Sequence, residues 1–294
     1  MFKNKNFIIF LAVFEAFIFV VMSALIRYMN ESFNLPQQLF LRLFGAFLFA
    51  SLVFYPSIKK IKFLEISKKD WLIYISRSLI YYGLGVTLIT YALTHATIAL
   101  VSFASSLPVM GVFAFIYFRE RINIKALPFI LISVIGLGML SKINIANINF
   151  NNGLIAAVLS LVAFDTAYLM VRLHNPKYTN KVNTFFMLMF SWIPAFIYLL
   201  VKTEPILPKN ISLISLTAII LSIILNVINV IIINYIFTKL KAYVAGNLLL
   251  LEGVFALIIG AILFNETINL YQFIGATIII ISAIAAGYLE DKTI

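Results

Sequence analysis

The sequence predicts an all-α, polytopic membrane protein with ten transmembrane helices in two inverted five-helix repeats. Three observations carry that reading. First, hydrophobic residues make up 63% of the chain and charged residues only 11%, which leaves too little polar surface for a soluble domain. Second, the apolar residues gather in long runs. Ala96 to Phe118 is a run of 23 residues without a charge; at about 1.5 Å per residue it is long enough for a hydrocarbon core of roughly 30 Å. Third, one stretch occurs twice: residues 95–124, HATIALVSFASSLPVMGVFAFIYFRERINI, and residues 241–270, KAYVAGNLLLLEGVFALIIGAILFNETINL. Laid together without a gap they share Ala96/Ala242, Ala99/Ala245, Phe118/Phe264, Glu120/Glu266, Ile122/Ile268 and Asn123/Asn269. Each copy is an apolar run that ends in a Glu, followed by a polar turn and a second apolar run.

The runs follow in order. Phe7 to Leu25, behind Lys3 and Lys5, has the outline of a signal peptide. Glu15 in its middle and the many runs after it mark it instead as a retained first span. Span 2 is about Pro36 to Tyr55. A basic loop with Lys59, Lys60, Lys62, Lys68 and Lys69 leads to span 3, Trp71 to Leu93, where Trp71 is placed as an interfacial anchor. Span 4 is Ala96 to Phe118, and span 5 runs from about Ala126 to Ser141 between Lys125 and Lys142. The Asn-rich segment Lys142 to Asn152 is the seam between two domains, 1–145 and 150–294. Beyond it lie span 6, Gly153 to Val171; span 7, Thr184 to Val201; span 8, about Ile211 to Phe237; span 9, Ala242 to Phe264; and span 10, Leu270 to Tyr288.

Loop charges set the orientation. With the N-terminus inside, sixteen Lys and Arg residues fall in inner segments, against four outside: Arg27, Lys142, Lys202 and Lys209. Both termini are then cytoplasmic, in a cell (inner) membrane. An odd number of spans per half inverts the second half relative to the first, a plan typical of transporters that alternate access around a central site. The first spans repeat as well. Phe14-Glu15 followed by Arg27-Tyr28 matches Phe164-Asp165 followed by Lys177-Tyr178, each acid 12 residues before the base. The net charge of +11 does not point to nucleic acid, because the basic residues sit in short segments between apolar runs. The chain has no Cys, so it offers neither a disulfide framework nor a thiolate metal site.

Several of these residues carry a resemblance. In the first half they are Arg42 in span 2, Ala92-Leu93 before the short turn into span 4, Leu107-Pro108-Val109 and Arg119-Glu120-Arg121. In the second half they are Leu251-Glu252-Gly253-Val254-Phe255-Ala256 and Asn265-Glu266-Thr267. Together the chain resembles the EamA-like branch of the drug/metabolite transporter superfamily over nearly its whole length. Gly253 departs from the pattern by standing where that family usually has Pro. Pro108 lies 12 residues before its Glu, whereas Gly253 lies 13 before its own. The resemblance implies a central cavity lined by spans 1, 3, 4, 6, 8 and 9 that carries a small organic metabolite.

Three carboxylates fall at mid-span depth: Glu15, Asp165 and Glu252. An intramembrane acid costs a few kcal/mol, so it is usually retained because it pairs, binds or moves a proton; the alternative role is helix packing. Arg77 lies roughly 9 Å into span 3 and Glu15 roughly 12 Å into span 1, depths that allow a pair. The other course for Arg77 is to snorkel to the inner headgroups. Arg42 reads as structural. Asn226 and Asn229 share a face of span 8 and Asn247 is a lone amide in span 9; each suits a ligand or an inter-helix hydrogen bond. Tyr81, Tyr82 and Tyr91 offer rings to a planar or cationic substrate, though packing accounts for most aromatics in a chain that is 15% aromatic. Glu120 and Glu266, at span ends, suit helix capping, or for Glu120 pairing with Arg119 or Arg121. His95 and His174 have no second ligand at metal spacing, so no metal and no cofactor is expected.

The function read from this is a secondary transporter for a small organic metabolite of the amino acid, nucleoside or S-adenosylmethionine type, with the bilayer as its setting; a homodimer is compatible with the sequence. The alternatives are an integral-membrane enzyme, for which no catalytic constellation is visible, and a channel, against which paired acids in inverted repeats argue. No Gly-x-x-x-x-Gly-Lys loop is present, so transport is not driven by the chain's own ATP hydrolysis. The topology is open to test in this Cys-free background. A cysteine in place of Glu65 should be labelled from the cytoplasm and one in place of Asn147 from outside; labelling of both from one side would defeat the inverted repeat.

Overall fold

The structure, a computed structural model, describes residues 5–95, 101, 104, 107, 109–121, 123–141, 152–265 and 267–290. Its main elements are helices. They are α1 (Lys5–Met29), α2 (Leu35–Val53), α3 (Lys68–Ser78), α4 (Thr87–His95), α5 (Met110–Phe118), α6 (Leu127–Leu140), α7 (Asn152–Leu169), α8 (Asn180–Ser191), α9 (Ile193–Val201), α10 (Leu213–Lys239), α11 (Ala242–Leu249), α12 (Leu251–Phe264) and α13 (Leu270–Glu290). A π-helical stretch, Leu79–Val86, joins α3 to α4. Among the described residues eight helical segments are long and apolar enough to cross a bilayer, and α6 is a shorter apolar helix. Much of predicted span 4, with Ala96, Ala99 and Pro108, lies outside the described residues, as do Ile122, Glu266, Lys292 and nearly all of the Asn-rich seam.

Local sequence explains where helices begin. Asn34 accepts from the amide of Gln37 while the Gln37 side chain accepts from the amide of Asn34, a reciprocal cap strengthened by Pro36 in the first turn of α2. Ser67 and Ser212 cap α3 and α10 through the amides of Asp70 and Ser215, each at 3.1 Å. The duplicated stretch also stops alike in both halves. Arg119 (φ 52°) ends α5 and Asn265 (φ 53°) ends α12, both in the left-handed conformation, at positions that correspond in the ungapped superposition.

Cross-chain hydrogen bonds tie the helix ends into two groups. At one end Lys5 Nζ donates to Gly287 O at 3.0 Å, Asn123 Nδ2 to Leu289 O at 3.2 Å, and Arg172 pairs with Glu120. At the other, Gln37 Nε2 donates to Pro205 O at 2.7 Å, Ser215 Oγ to Tyr28 O at 2.7 Å, and Gln272 Nε2 to Leu140 O at 3.2 Å. Helix α1 therefore leaves the first end, the basic one, while α7 runs toward it and reaches it near Arg172. The outer surface carries large apolar side chains such as Leu52, Ile116, Ile135, Ile262 and Phe273, each more than half exposed, as a hydrocarbon environment requires. Trp71 packs edge-on against Phe186 and Phe190, with centroids 5.2 and 6.0 Å away.

The last helix of each half, α6 and α13, cross with their backbones in contact. A Cβ built on Gly275 would lie 2.5 Å from Gly136 O and 2.7 Å from Leu140 N, and backbone cannot swing aside as a side-chain tip can. Small residues at such crossings are what allow close helix packing in a membrane. Gly275→Ala should therefore lower stability by about 1–3 kcal/mol through overpacking. Gly83→Ala, whose Cβ would meet Pro194 at an ordinary 3.5 Å, should change it by less than about 0.5 kcal/mol. Unfolding midpoints of the two variants in detergent check this, and equal losses would refute the crossing.

Candidate functional site

The structure gathers the predicted acids toward one region. Glu15 on α1 is 0% exposed, and its Oε1 accepts from Asn229 Nδ2 on α10 at 2.7 Å. Asn229 Oδ1 in turn accepts from the Tyr81 hydroxyl at 3.3 Å. This chain of bonds joins predicted spans 1, 3 and 8, and so both halves of the protein. The second oxygen of Glu15, Oε2, is buried without a hydrogen-bond partner, a costly state that a ligand or a proton would relieve.

Asp165 and Glu252 line a small cavity of about 50 Å³ together with Phe19, Met110, Phe164 and Tyr168. Asp165 is 4% exposed and its Oδ2 has no partner. Glu252 lies within electrostatic reach of both Glu15 and Asp165. Helix α11 ends at Leu249 and α12 starts at Leu251, with Leu250 between them still in the right-handed helical region (φ −59°, ψ −18°), so Ala242–Leu263 runs as one span and Glu252 lies near its middle.

Aromatic rings wall the region. Tyr81 lies 4.7 Å from Tyr82, 5.1 Å from Phe164 and 5.7 Å from Tyr168 between ring centroids, and Tyr168 stacks on Phe237 at 5.1 Å. Phe164 reaches this place because Gly85, in the π-helical stretch, leaves room for it. A Cβ there would stand 2.8 Å from two of its ring carbons.

The expected pair of Arg77 with Glu15 does not form, and Arg77 does not snorkel either. Arg77 is 0% exposed; its Nε donates to Ala167 O at 2.8 Å and its Nη1 faces His174 Nε2 at 3.4 Å. The physical reason is the end of α7. Carbonyls in a last helical turn lack intrahelical partners and carry the negative end of the dipole, so Ala167 O draws the guanidinium. Arg42 is also buried, 2% exposed, with Nε and Nη2 unpartnered.

Glu120 pairs across the fold, with neither Arg119 nor Arg121. One carboxylate oxygen meets Arg172 Nη1, and the other accepts from the amide of Ala242 at 2.7 Å, capping α11. Arg172 also donates to Phe237 O at 3.2 Å and Leu240 O at 3.1 Å. This latch fastens the end of α5 to the second half at the basic end. The other predicted site residues scatter. Asn226 turns back to Ser222 O on its own helix at 2.8 Å, Asn247 Nδ2 bonds Ser282 O on α13 at 3.0 Å, and the Tyr82 hydroxyl is buried without a partner. Asn226 and Asn247 thus stabilise helices and their contacts, while Asn229 belongs to the carboxylate region.

A model of the EamA-like transporter family matches residues 6–142 and again 151–288, the two halves of the chain. The chain belongs to the EamA-like transporter family. It is accordingly an integral membrane protein of the drug/metabolite transporter kind, a transporter of small molecules. No curated protein matches the chain. A solved crystal structure of another protein is similar over 99% of both chains, with a TM-score of 0.72 at 16% identity. That likeness is one of fold.

Residues that sequence reasoning passed over include Phe19, Phe164 and Tyr168 on the cavity wall, and Arg172 in the latch. Only Phe164 had a visible signal, its pairing with Phe14 in the repeated first spans of the EamA-like halves.

His174, just beyond the membrane-spanning part of predicted span 6, gives a pH test. Burial first, and then the Arg77 charge, push its imidazole down from 6.5 to about 2. Between those values the unfolded chain binds a proton that the folded one does not, so stability falls as pH drops below about 6.5. His174→Gln should flatten the decline of the unfolding midpoint between pH 7 and 5; an unchanged slope would remove His174 as its source.

Proposed function

We propose that this protein is a secondary transporter that moves a small organic metabolite with a cationic group by alternating access around Glu15, Asp165 and Glu252. The substrates this suits are of the amino acid, nucleoside or S-adenosylmethionine type. One observation carries the reading: Glu15 and Asp165, one buried acid from each half, lie within electrostatic reach of the half-buried Glu252, and neither buried arginine pairs with them. A cluster of that kind attracts a substrate cation or a proton when its surroundings turn dry. Glu15 is the principal site and Asp165 the supporting one.

The small cavity and the fastened Glu120–Arg172 latch support a conformation closed at the basic end, since metabolite sites usually enclose about 300 Å³ or more. Access from that side then requires Glu120 to release both Arg172 and the start of α11. On the charge pattern of the loops the basic end is cytoplasmic, with both termini there.

The test is counterflow and pH-gradient uptake in proteoliposomes against a panel of amino acids, nucleosides and S-adenosylmethionine. Glu15→Gln keeps size and hydrogen bonding but removes the charge. It should cut gradient-driven uptake by about ten- to a hundredfold, the worth of one charge-assisted contact, with elution and unfolding midpoint preserved. Full uptake with an unchanged pH profile would make Glu15 a packing acid.

A further inference from the structure

A second cavity, of about 480 Å³, opens at the basic end between the turn after Leu173, the start of α8 and the last turns of α10. It shares no lining residue with the carboxylate cavity and is built from the second half alone. Its volume is that of a small-molecule site, and its chemistry is distinct. Two cations line it, Arg172 and Lys239, with no carboxylate and with four asparagines, Asn175, Asn180, Asn183 and Asn234. The nearby Asp70 is already held by Ser67 Oγ at 2.8 Å and Asn175 Nδ2 at 3.3 Å.

Two polar atoms of the lining residues are buried without partners. Asn234 is 2% exposed; its Nδ2 donates to Thr184 Oγ1 at 3.1 Å, which leaves Oδ1 as an unmet acceptor. His174 Nδ1 is the other. Because a guanidinium can only donate, His174 Nε2 is the acceptor facing Arg77, and Nδ1 carries the ring hydrogen as an unmet donor. Buried groups of this sort are almost always satisfied, by water or by a ligand. The cavity thus asks for an anion to meet Lys239 and the His174 N–H, and for a hydroxyl to donate to Asn234.

We propose that this cavity binds a glycerol phosphate group, its phosphate against Lys239 and His174 Nδ1–H and a hydroxyl donating to Asn234 Oδ1. The group has two sources: a free glycerol phosphate, or the headgroup of an anionic glycerophospholipid, which basic pockets between transmembrane helices are suited to hold.

The full-length protein in detergent is titrated with glycerol 3-phosphate while its unfolding midpoint is followed. In parallel it is placed in phosphatidylcholine nanodiscs with and without phosphatidylglycerol. A rise with the soluble probe identifies a free ligand; a rise only with phosphatidylglycerol identifies a headgroup. Lys239→Gln, at an exposed position, should weaken either effect about tenfold in half-saturating concentration or lipid fraction. Asn234→Leu should abolish it. Glu15→Gln should leave it intact, which separates this site from the transport reading. No rise with either source, or a rise that survives Lys239→Gln unweakened, overturns the proposal.

Discussion

Glu15 is buried away from the surface, so everything around that carboxylate has to supply the contacts that bulk solvent would have given. A single amide, Asn229, meets one of its oxygens, and Tyr81 holds that amide from the far side. Because the three residues come from three different helices, satisfying one acid fixes the relative rotation of α1, the π-helical stretch and α10. Asp165 and Glu252 impose the same demand on their neighbours. Arg77 is kept apart from the acids by the carbonyl of Ala167, and Arg42 pairs with none of them.

Much of this plan was legible in the sequence, since duplication and hydrophobicity are properties of the chain itself. The ungapped match of residues 95–124 with 241–270 anticipated two helices that end at corresponding residues, Phe118 and Phe264, and the structure adds that both are stopped by a left-handed residue, Arg119 and Asn265. The spacing Phe14-Glu15 and Phe164-Asp165 singled out two of the acids that meet at the centre. What stayed hidden depends on partners distant in the chain. Arg172 and Glu120 are 52 residues apart, and basic residues flanked Glu120 more closely. The carbonyl that captures Arg77 is available only because α7 ends where it does. Phe164 and Tyr168 were lost in a chain so rich in aromatic residues that one more ring carries no contrast.

The two ends of the molecule are fastened by unlike means. At the basic end a single carboxylate, Glu120, serves both an arginine and a helix start, so its loss of contact would free two elements together. At the opposite end the fastening is spread over more bonds, Gln37 to Pro205 O, Ser215 to Tyr28 O and Asn34 to the Glu204 carboxylate. A duplicated architecture is therefore fastened unequally at its two ends, and ionic strength bears on the Glu120–Arg172 ion pair at the basic one.

The crossing of α6 and α13 bears on how two such halves can move. Where backbone touches backbone at Gly136 and Gly275, a slide of even one residue would drive a side chain into a peptide group. The contact continues along both helices, from Gly136 against Ile278 to Leu140 against Gln272. The seam between the last helices of the two halves is thus held in one register, and that register is set by two residues that have no side chain.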